Sequence, residues 1–169
     1  MTKYRLTDET TVIGNNTLHR IQALYSFGYV TEGDLGGFVE SESNLSHEGL
    51  CWVSGDACVS GNAWVCNDAQ VSCNARVYGN AHVSGCALVF DNALVFDNAQ
   101  VYGAAGVYGN AWVSGIAHVY GDAGVFGNAW VSGNARVYGD AQLSGDARMS
   151  GNTQVYGDVW VFDHVSGVE

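Results

Sequence analysis

The chain contains no proline, few basic residues and no long hydrophobic run. The sequence has six basic residues (Lys and Arg) and 17 acidic residues (Asp and Glu), which gives a formal net charge of -11. A body this acidic repels phosphate backbones, so we expect no direct nucleic-acid binding. No apolar run approaches the roughly 18 residues that span a membrane. The opening MTKYRLTDET also lacks the apolar core of a signal peptide. We therefore expect a cytoplasmic protein without membrane association, whose acidic surface either maintains solubility or mimics nucleic acid.

The five cysteines lack a recognisable pairing or metal-ligand pattern. Their spacing contains no Cys-x-x-Cys motif, and they do not resemble the framework of a small secreted protein. We therefore predict reduced thiols.

Glycine and aromatic residues are abundant instead, with 23 Gly, nine Tyr and five Trp. Together with many Val, Ala, Asn and Asp residues, this composition favours short strands joined by tight corners. The sequence therefore predicts an all-β protein.

A six-residue repeat organises most of the chain. Val, Leu or Met occupies the first position of nineteen consecutive hexads that begin at Val53 and continue to the one beginning at Val161, and Ala occupies nearly every fifth position. Because side chains alternate along a strand, these two positions point inward and the second and sixth point outward. Gly-Asn or Gly-Asp then forms the corner, where glycine adopts a positive φ readily. Irregular hexads extend the frame back to Leu35.

Residues 1–34 fall outside this period. They contain two alternating runs around Gly14, Asn15 and Asn16, which is typical of a β-hairpin. We predict an N-terminal β cap over residues 1–34 and a solenoid over residues 35–169, together forming a single structural domain.

The V-x-[GD]-[ND]-A-x pattern resembles the hexapeptide repeat of left-handed parallel β-helices, over about four-fifths of the chain. KYRLTDET, GDLGGFVESESNLS and VYGNAxVSGNAx together resemble a narrower group of bacterial and prophage β-helix proteins that are often labelled transferases. The resemblance implies three hexads per coil, about seven triangular coils and left-handed winding. A transferase label that follows the fold carries little information about chemistry.

At the spacing of one coil, the outward residues align in columns on three faces. Large apolar columns on a surface usually mark an interface, although cross-strand stacking that stabilises the sheets is an alternative. Acyltransferases of this fold are commonly trimers, so we predict a homotrimer. Its interface is predicted to comprise Leu88, Phe90, Leu94, Phe96, Tyr108, Trp112, Phe126 and Trp130. The partner-binding or ligand-binding residues are predicted to be Tyr102, His118, Tyr120, Arg136, Tyr138 and Tyr156.

The corners and histidines suggest two further sites. Asp122, Asp140 and Asp158 align at one corner, where a cation such as Ca²⁺ can bridge them, although solvated carboxylates are the simpler interpretation. The resemblance implies a His base at a subunit interface and acetyl-CoA or another acyl-CoA as cofactor, with His118 or His82 as the candidates. No interrupting loop or C-terminal basic patch accompanies them, so we assign no catalytic residue and no cofactor to the leading interpretation.

The leading hypothesis is a non-enzymatic, oligomeric binding protein of phage or prophage type. Its partner is predicted to be a host protein that it occludes, or a small nucleotide signal held between prisms, in counter-defence. For the nucleotide, tyrosines would stack on bases and Arg136 or Arg76 would meet phosphate. A CoA-dependent acyltransferase and a purely structural rod are the alternatives.

Overall fold

A computed structural model describes residues 1–165. Within them the only helical element is a single 3-10 turn at Glu42–Asn44, and every other regular element is a β-strand. In chain order the strands are β1 (Tyr4–Ile13), β2 (Asn16–Ala23), β3 (Leu35–Val39), β4 (Trp52–Val53), β5 (Cys58–Val59), β6 (Trp64–Val65), β7 (Gln70–Val71), β8 (Arg76–Val77), β9 (His82–Val83), β10 (Leu88–Val89), β11 (Leu94–Val95), β12 (Gln100–Val101), β13 (Gly106–Val107), β14 (Trp112–Val113), β15 (His118–Val119), β16 (Gly124–Val125), β17 (Trp130–Val131), β18 (Arg136–Tyr138), β19 (Gln142–Leu143), β20 (Arg148–Met149), β21 (Gln154–Tyr156) and β22 (Trp160–Val161).

The short strands form three parallel sheets, one on each side of a prism. The tryptophan face, named for Trp112 and Trp130, contains β3, β5, β8, β11, β14, β17 and β20. The phenylalanine face, named for Phe90 and Phe126, contains β4, β7, β10, β13, β16, β19 and β22. The tyrosine face contains β6, β9, β12, β15, β18 and β21. The predicted all-β parallel β-helix of about seven coils is confirmed, and left-handed winding is consistent with this topology.

The register equals three hexads throughout the regular coils. Leu88 pairs with Gly106, and Gly106 pairs with Gly124. Backbone hydrogen bonds join each coil to the next, for example from the Leu88 amide to the Ala105 carbonyl at 2.9 Å. The predicted spacing of one coil is therefore confirmed, and it places outward side chains in columns about 4.8 Å apart.

The interior is built from two residue types. Valines at the first position and alanines at the fifth, from Val53 to Ala135, are almost fully inaccessible to solvent. Full burial of a valine side chain contributes on the order of 1.5–3 kcal/mol relative to exposure. Because every coil gains this contribution, the first and fifth positions differ little from one hexad to the next.

The corners depend on one backbone conformation. The third residue of the hexads that begin at Val53 through Val155 adopts a positive φ, and glycine usually occupies that position. Four corners have another residue there, namely Asn67 (φ 59°), Cys73 (φ 61°), Asp91 (φ 59°) and Asp97 (φ 60°). Asn and Asp tolerate this region better than most side chains, whereas Cys73 has no such preference.

The predicted N-terminal hairpin cap is confirmed. β1 and β2 pair antiparallel across the turn at Gly14, and β2 pairs with β3 at the end of the tryptophan face. Tyr4, Ile21 and Ala23 are buried in the main core and so close that end of the prism.

Lys3 secures the cap in a way that the sequence did not indicate. Its side chain is fully buried and donates from Nζ to the Cys51 carbonyl at 2.8 Å, with the Cys51 Sγ at 3.2 Å. Among residues 1–165, no carboxylate lies within ion-pair distance of Lys3. The ammonium group is therefore satisfied by backbone carbonyls and a thiol, together with the Phe27 ring 5.1 Å away.

Candidate functional site

The tyrosine face carries a column of four stacked rings. The ring centroids of Tyr102 and Tyr120 lie 4.9 Å apart, those of Tyr120 and Tyr138 4.9 Å, and those of Tyr138 and Tyr156 5.1 Å, with nearly parallel planes. Each inner ring is therefore covered on both faces by its neighbours. A ligand can reach the ring edges along the column, or the ring faces at its two ends, at Tyr102, which follows Ser84 in the column, and at Tyr156, which is 60% exposed.

An imidazole and a guanidinium group accompany this column. His118 pairs directly with Arg136 on the next strand, and its ring lies edge-on to Tyr102 with centroids 6.1 Å apart. Burial lowers the pKa of His118, and the positive charge of Arg136 lowers it further. The imidazole is therefore neutral near pH 7. The structure brings all six residues predicted for the ligand site onto one face.

The other candidate base, His82, lies two coils away on the same face. Its ring stacks on Trp64 at 4.9 Å, and its Nε2 is 3.4 Å from the Cys66 Sγ. Burial lowers the pKa of His82 and raises the pKa of the Cys66 thiol. Both groups are therefore neutral near pH 7, and the cysteine lacks the thiolate character that a nucleophile requires. All five cysteines are free thiols, as predicted.

The residues predicted for the subunit interface lie on the two other faces. On the phenylalanine face, Phe90, Tyr108 and Phe126 stack at successive centroid distances of 4.8 Å. On the tryptophan face, Trp112 and Trp130 meet edge to face at 5.7 Å.

Exposure distinguishes the members of this set. Leu88 is 44% exposed, Trp112 42% and Trp130 39%, whereas the other predicted interface residues are half-buried. The most accessible apolar side chains of the set therefore belong to two different faces, which share one prism edge.

That edge carries a ladder of amide side chains. Asn74 donates to Asn92, Asn92 to Asn110 and Asn110 to Asn128, over 3.1–3.3 Å. A second edge, between the tryptophan and tyrosine faces, has a ladder through Asn62, Asn80 and Asn98 that Ile116, 50% exposed, interrupts. Hydrogen-bonded asparagine ladders therefore run along two of the three prism edges.

The third edge carries Asp122, Asp140 and Asp158, all exposed to solvent. Across the described part of the chain, no group of three or more His, Cys, Asp or Glu side chains is arranged to hold a metal ion. The three aspartates are therefore separate, solvent-exposed carboxylates, one in each successive coil.

Sequence reasoning missed a cleft of about 500 Å³ beneath the hairpin turn. Ile13 and Asn16 form its upper wall, and Arg76, Tyr78 and Leu94 of the tryptophan face form its floor. The cleft depends on a hairpin that bends across a sheet, and the repeat pattern carries no signal for this bend.

The fold and these surfaces define the protein as a parallel β-solenoid with aromatic faces. A family model described as the YdcK beta solenoid repeat matches residues 69–85, 129–143 and 141–157, which together cover less than half of the chain. This match supports assignment to the β-solenoids and specifies no activity. No curated protein matches the chain. In residues 1–165, no helix is long and apolar enough to cross a membrane.

Proposed function

We propose that the protein is a non-enzymatic, homotrimeric binding protein. The observation that carries this proposal is the pair of apolar faces that meet at one prism edge, with Leu88, Trp112 and Trp130 each about 40% exposed. Apolar columns on a soluble protein are favoured at interfaces because association removes them from water. A second copy of the same chain is the simplest occupant of such a surface.

The position of these faces favours a closed trimer over a dimer. In a cyclic trimer each subunit meets two neighbours through two different patches. The tryptophan and phenylalanine faces provide two such patches on either side of the Asn74 to Asn128 ladder. In this arrangement the ladder edge points toward the three-fold axis, and the tyrosine face remains on the outside.

The tyrosine face is accordingly proposed as the surface for a further partner. Its edges combine phenol hydroxyls, the exposed Arg136 and the neutral imidazole of His118 on a body with a net charge of -11. Such a surface suits a basic patch on a host protein, since opposite charges steer association and the tyrosine rings supply contact area. Origin in a phage or prophage remains part of the same proposal.

The assembly is tested by measuring its mass with sedimentation equilibrium over a wide concentration range. A trimer has three times the 17.9 kDa mass of the chain. Trp130→Glu introduces a charge into the proposed interface and should shift the equilibrium toward monomer. Tyr138→Glu makes the same change on the tyrosine face and should leave the trimer intact. A chain that is monomeric at all concentrations, or equal dissociation by both variants, would contradict the proposal.

The alternative that the partner is a small nucleotide is tested separately with cyclic oligonucleotides. Binding should raise the melting temperature of the wild-type protein. Arg136→Gln should abolish this rise if the guanidinium meets phosphate. Because the inner rings cover one another, Tyr156→Ala should weaken binding more than Tyr120→Ala. No shift in melting temperature at high ligand concentration would remove the nucleotide from the proposal and leave the protein partner.

A CoA-dependent acyltransferase is the second candidate, because the neutral state of His118 near pH 7 suits a general base. The exposed guanidinium of Arg136 lies on the neighbouring strand, where it can meet a phosphate group. Acetyl-CoA should then bind at millimolar concentration and lose affinity in Arg136→Gln. Absence of binding at that concentration would eliminate this candidate.

A further inference from the structure

The hairpin turn forms a wall above the tryptophan face, and the cleft beneath it has a defined chemical character. Its volume is about 500 Å³, within the range of small-molecule sites. Three elements line it, namely the hairpin turn, strands β5, β8 and β11, and the corner at Gly61 and Gly79.

The overhang is held in place by one carboxylate. Glu40 accepts a hydrogen bond from the Asn16 side-chain amide at 2.8 Å and another from the Gly61 backbone amide at 2.7 Å, both through Oε2. Leu18 is fully buried and packs with Phe38 and Cys58 on the outer surface of the first coils. The turn is therefore attached to the prism by polar and apolar contacts, and the cleft is formed before any ligand arrives.

The floor of the cleft lies at a break in an aromatic column. Tyr78 stacks on Phe96 with ring centroids 5.0 Å apart and planes 4° from parallel. At the next level, one coil toward the hairpin, stands Ser60, which is too small to cover the second face of the Tyr78 ring. That ring face borders the cleft, with Ile13 and Leu94 supplying aliphatic surface around it. A planar ring can continue the stack at this level.

A guanidinium group lies next to that ring position. Arg76 occupies β8 with its side chain exposed, between Cys58 and Leu94 in the same column. Within residues 1–165 its guanidinium makes neither an ion pair nor a hydrogen bond to the protein. Of the two arginines in the cap, Arg20 is engaged by Glu9 at 2.8 Å and by Asp56 at 3.6 Å, and Arg5 donates to the Gln22 side-chain oxygen. Arg76 is therefore the cation available to an anion in the cleft.

We propose that this cleft binds a small aromatic carboxylate, with its ring stacked on Tyr78 and its carboxylate paired with Arg76. A single guanidinium matches a single negative charge, and the strongly acidic body disfavours a phosphate dianion. The site lies outside the predicted tyrosine-face site and does not depend on the proposed trimer. Leu94 is the only residue that the cleft shares with the proposed subunit interface.

The probe for this site is benzoate, titrated into the full chain in the oligomeric state it adopts and followed by NMR. Signals of Tyr78, Leu94 and Ile13 should move in a saturable manner. Benzamide keeps the ring and removes the charge, whereas cyclohexanecarboxylate keeps the charge and removes the flat ring. Both should bind more weakly than benzoate. Equal affinity of the three compounds, or no movement of these signals, would overturn the proposal.

Two pairs of variants test whether Arg76 and Tyr78 contribute to the affinity for benzoate. Arg76→Gln should weaken benzoate by at least about tenfold while leaving benzamide unchanged, because a charge-assisted hydrogen bond is lost. Arg148→Gln is the matched control, since Arg148 occupies the same hexad position of the same face, close to Trp130. Tyr78→Leu should weaken benzoate more than cyclohexanecarboxylate, and Tyr108→Leu, in the phenylalanine-face column, should change neither. An equal loss in Arg76→Gln and Arg148→Gln would show non-specific attraction and overturn the assignment.

Discussion

The strain at the Cys73 corner leads to a sharp prediction about stability. Cys73 adopts φ 61° at the third hexad position, where glycine stands in most corners. A side chain in this left-handed region costs roughly 1–2 kcal/mol. Replacement by glycine removes that cost, and the greater freedom of glycine in the unfolded chain offsets about 0.5–1 kcal/mol. The exposed Cys73 thiol makes no hydrogen bond within the described residues. We therefore expect Cys73→Gly to raise the free energy of unfolding by about 0.5–1 kcal/mol.

Two matched substitutions separate strain from other effects. Cys86 is also exposed but stands at the fourth hexad position, outside the left-handed region, so Cys86→Gly should lower stability by about 0.5–1 kcal/mol. Asp97 shares the strained conformation, with φ 60°, yet its carboxylate accepts a hydrogen bond from the Gly115 amide at 3.0 Å. Loss of that bond, about 1 kcal/mol, should leave Asp97→Gly close to wild type.

The assay is urea denaturation followed by circular dichroism, at a protein concentration that fixes the oligomeric state. A solenoid can unfold in parts, so midpoints are compared only where the slopes agree. The expected order of stability is Cys73→Gly above wild type, Asp97→Gly near wild type and Cys86→Gly below it. A Cys73→Gly protein no more stable than wild type, or a Cys86→Gly protein stabilised equally, would refute the strain argument.

Three further predictions concern the cap, a regular corner and the tyrosine face. Lys3→Met removes the buried donor to the Cys51 carbonyl and should destabilise the protein by about 1–3 kcal/mol in the same denaturation assay; a stability equal to wild type would contradict the role of Lys3 in the cap. Gly121→Ala should cost at least about 1–2 kcal/mol, because φ is +74° and the added Cβ would lie 3.0 Å from the Gly139 amide nitrogen; a neutral result would show that the corners relax freely. Burial, and then a neighbouring guanidinium, lower the pKa of His118 below its ordinary 6.5. The unfolded chain therefore binds a proton more readily, and stability should fall as pH drops through about 6.5. His118→Gln should reduce that slope in melting curves recorded against pH, and an unchanged slope would contradict this assignment.

The sequence predicted the prism because the inward-facing positions, the corner residues and the repeat length all indicated the same fold. Val and Ala at alternating inward positions set the strands, and glycine at the third position set the corners. With three hexads per coil, residues 18 apart had to become neighbours, so the stacking of Tyr102 on Tyr120 followed without coordinates. Repetition made this possible, since a single frame determined every coil.

The sequence predicted the hairpin of the cap, but not its register, because the cap lacks that repetition. The register shifts of β1 between Leu6 and Thr10 and of β2 between Arg20 and Gln22 cannot be read from alternation alone. These register shifts separate two parts of the hairpin. The part with Tyr4 and Ile21 packs on the core, and the part with Ile13 and Asn16 lies over the tryptophan face. Glu40 lies in a polar segment of the sequence, and only the fold shows that it joins the turn to the first regular coils.

Stability alone accounts for some aromatic columns and not for others. A stacked pair contributes about 0.5–1.5 kcal/mol beyond its buried area, so half-buried columns such as Phe90, Tyr108 and Phe126 stabilise the prism in a lone chain. Trp112 and Trp130 also form an aromatic pair, edge to face, but they differ from the half-buried columns because each remains about 40% exposed. Smaller residues at these positions would close the same coil, since the second and sixth hexad positions have no part in the core. Folding stability therefore accounts for the half-buried stacked columns, whereas in the proposed trimer the exposed tryptophans would be covered by a second subunit.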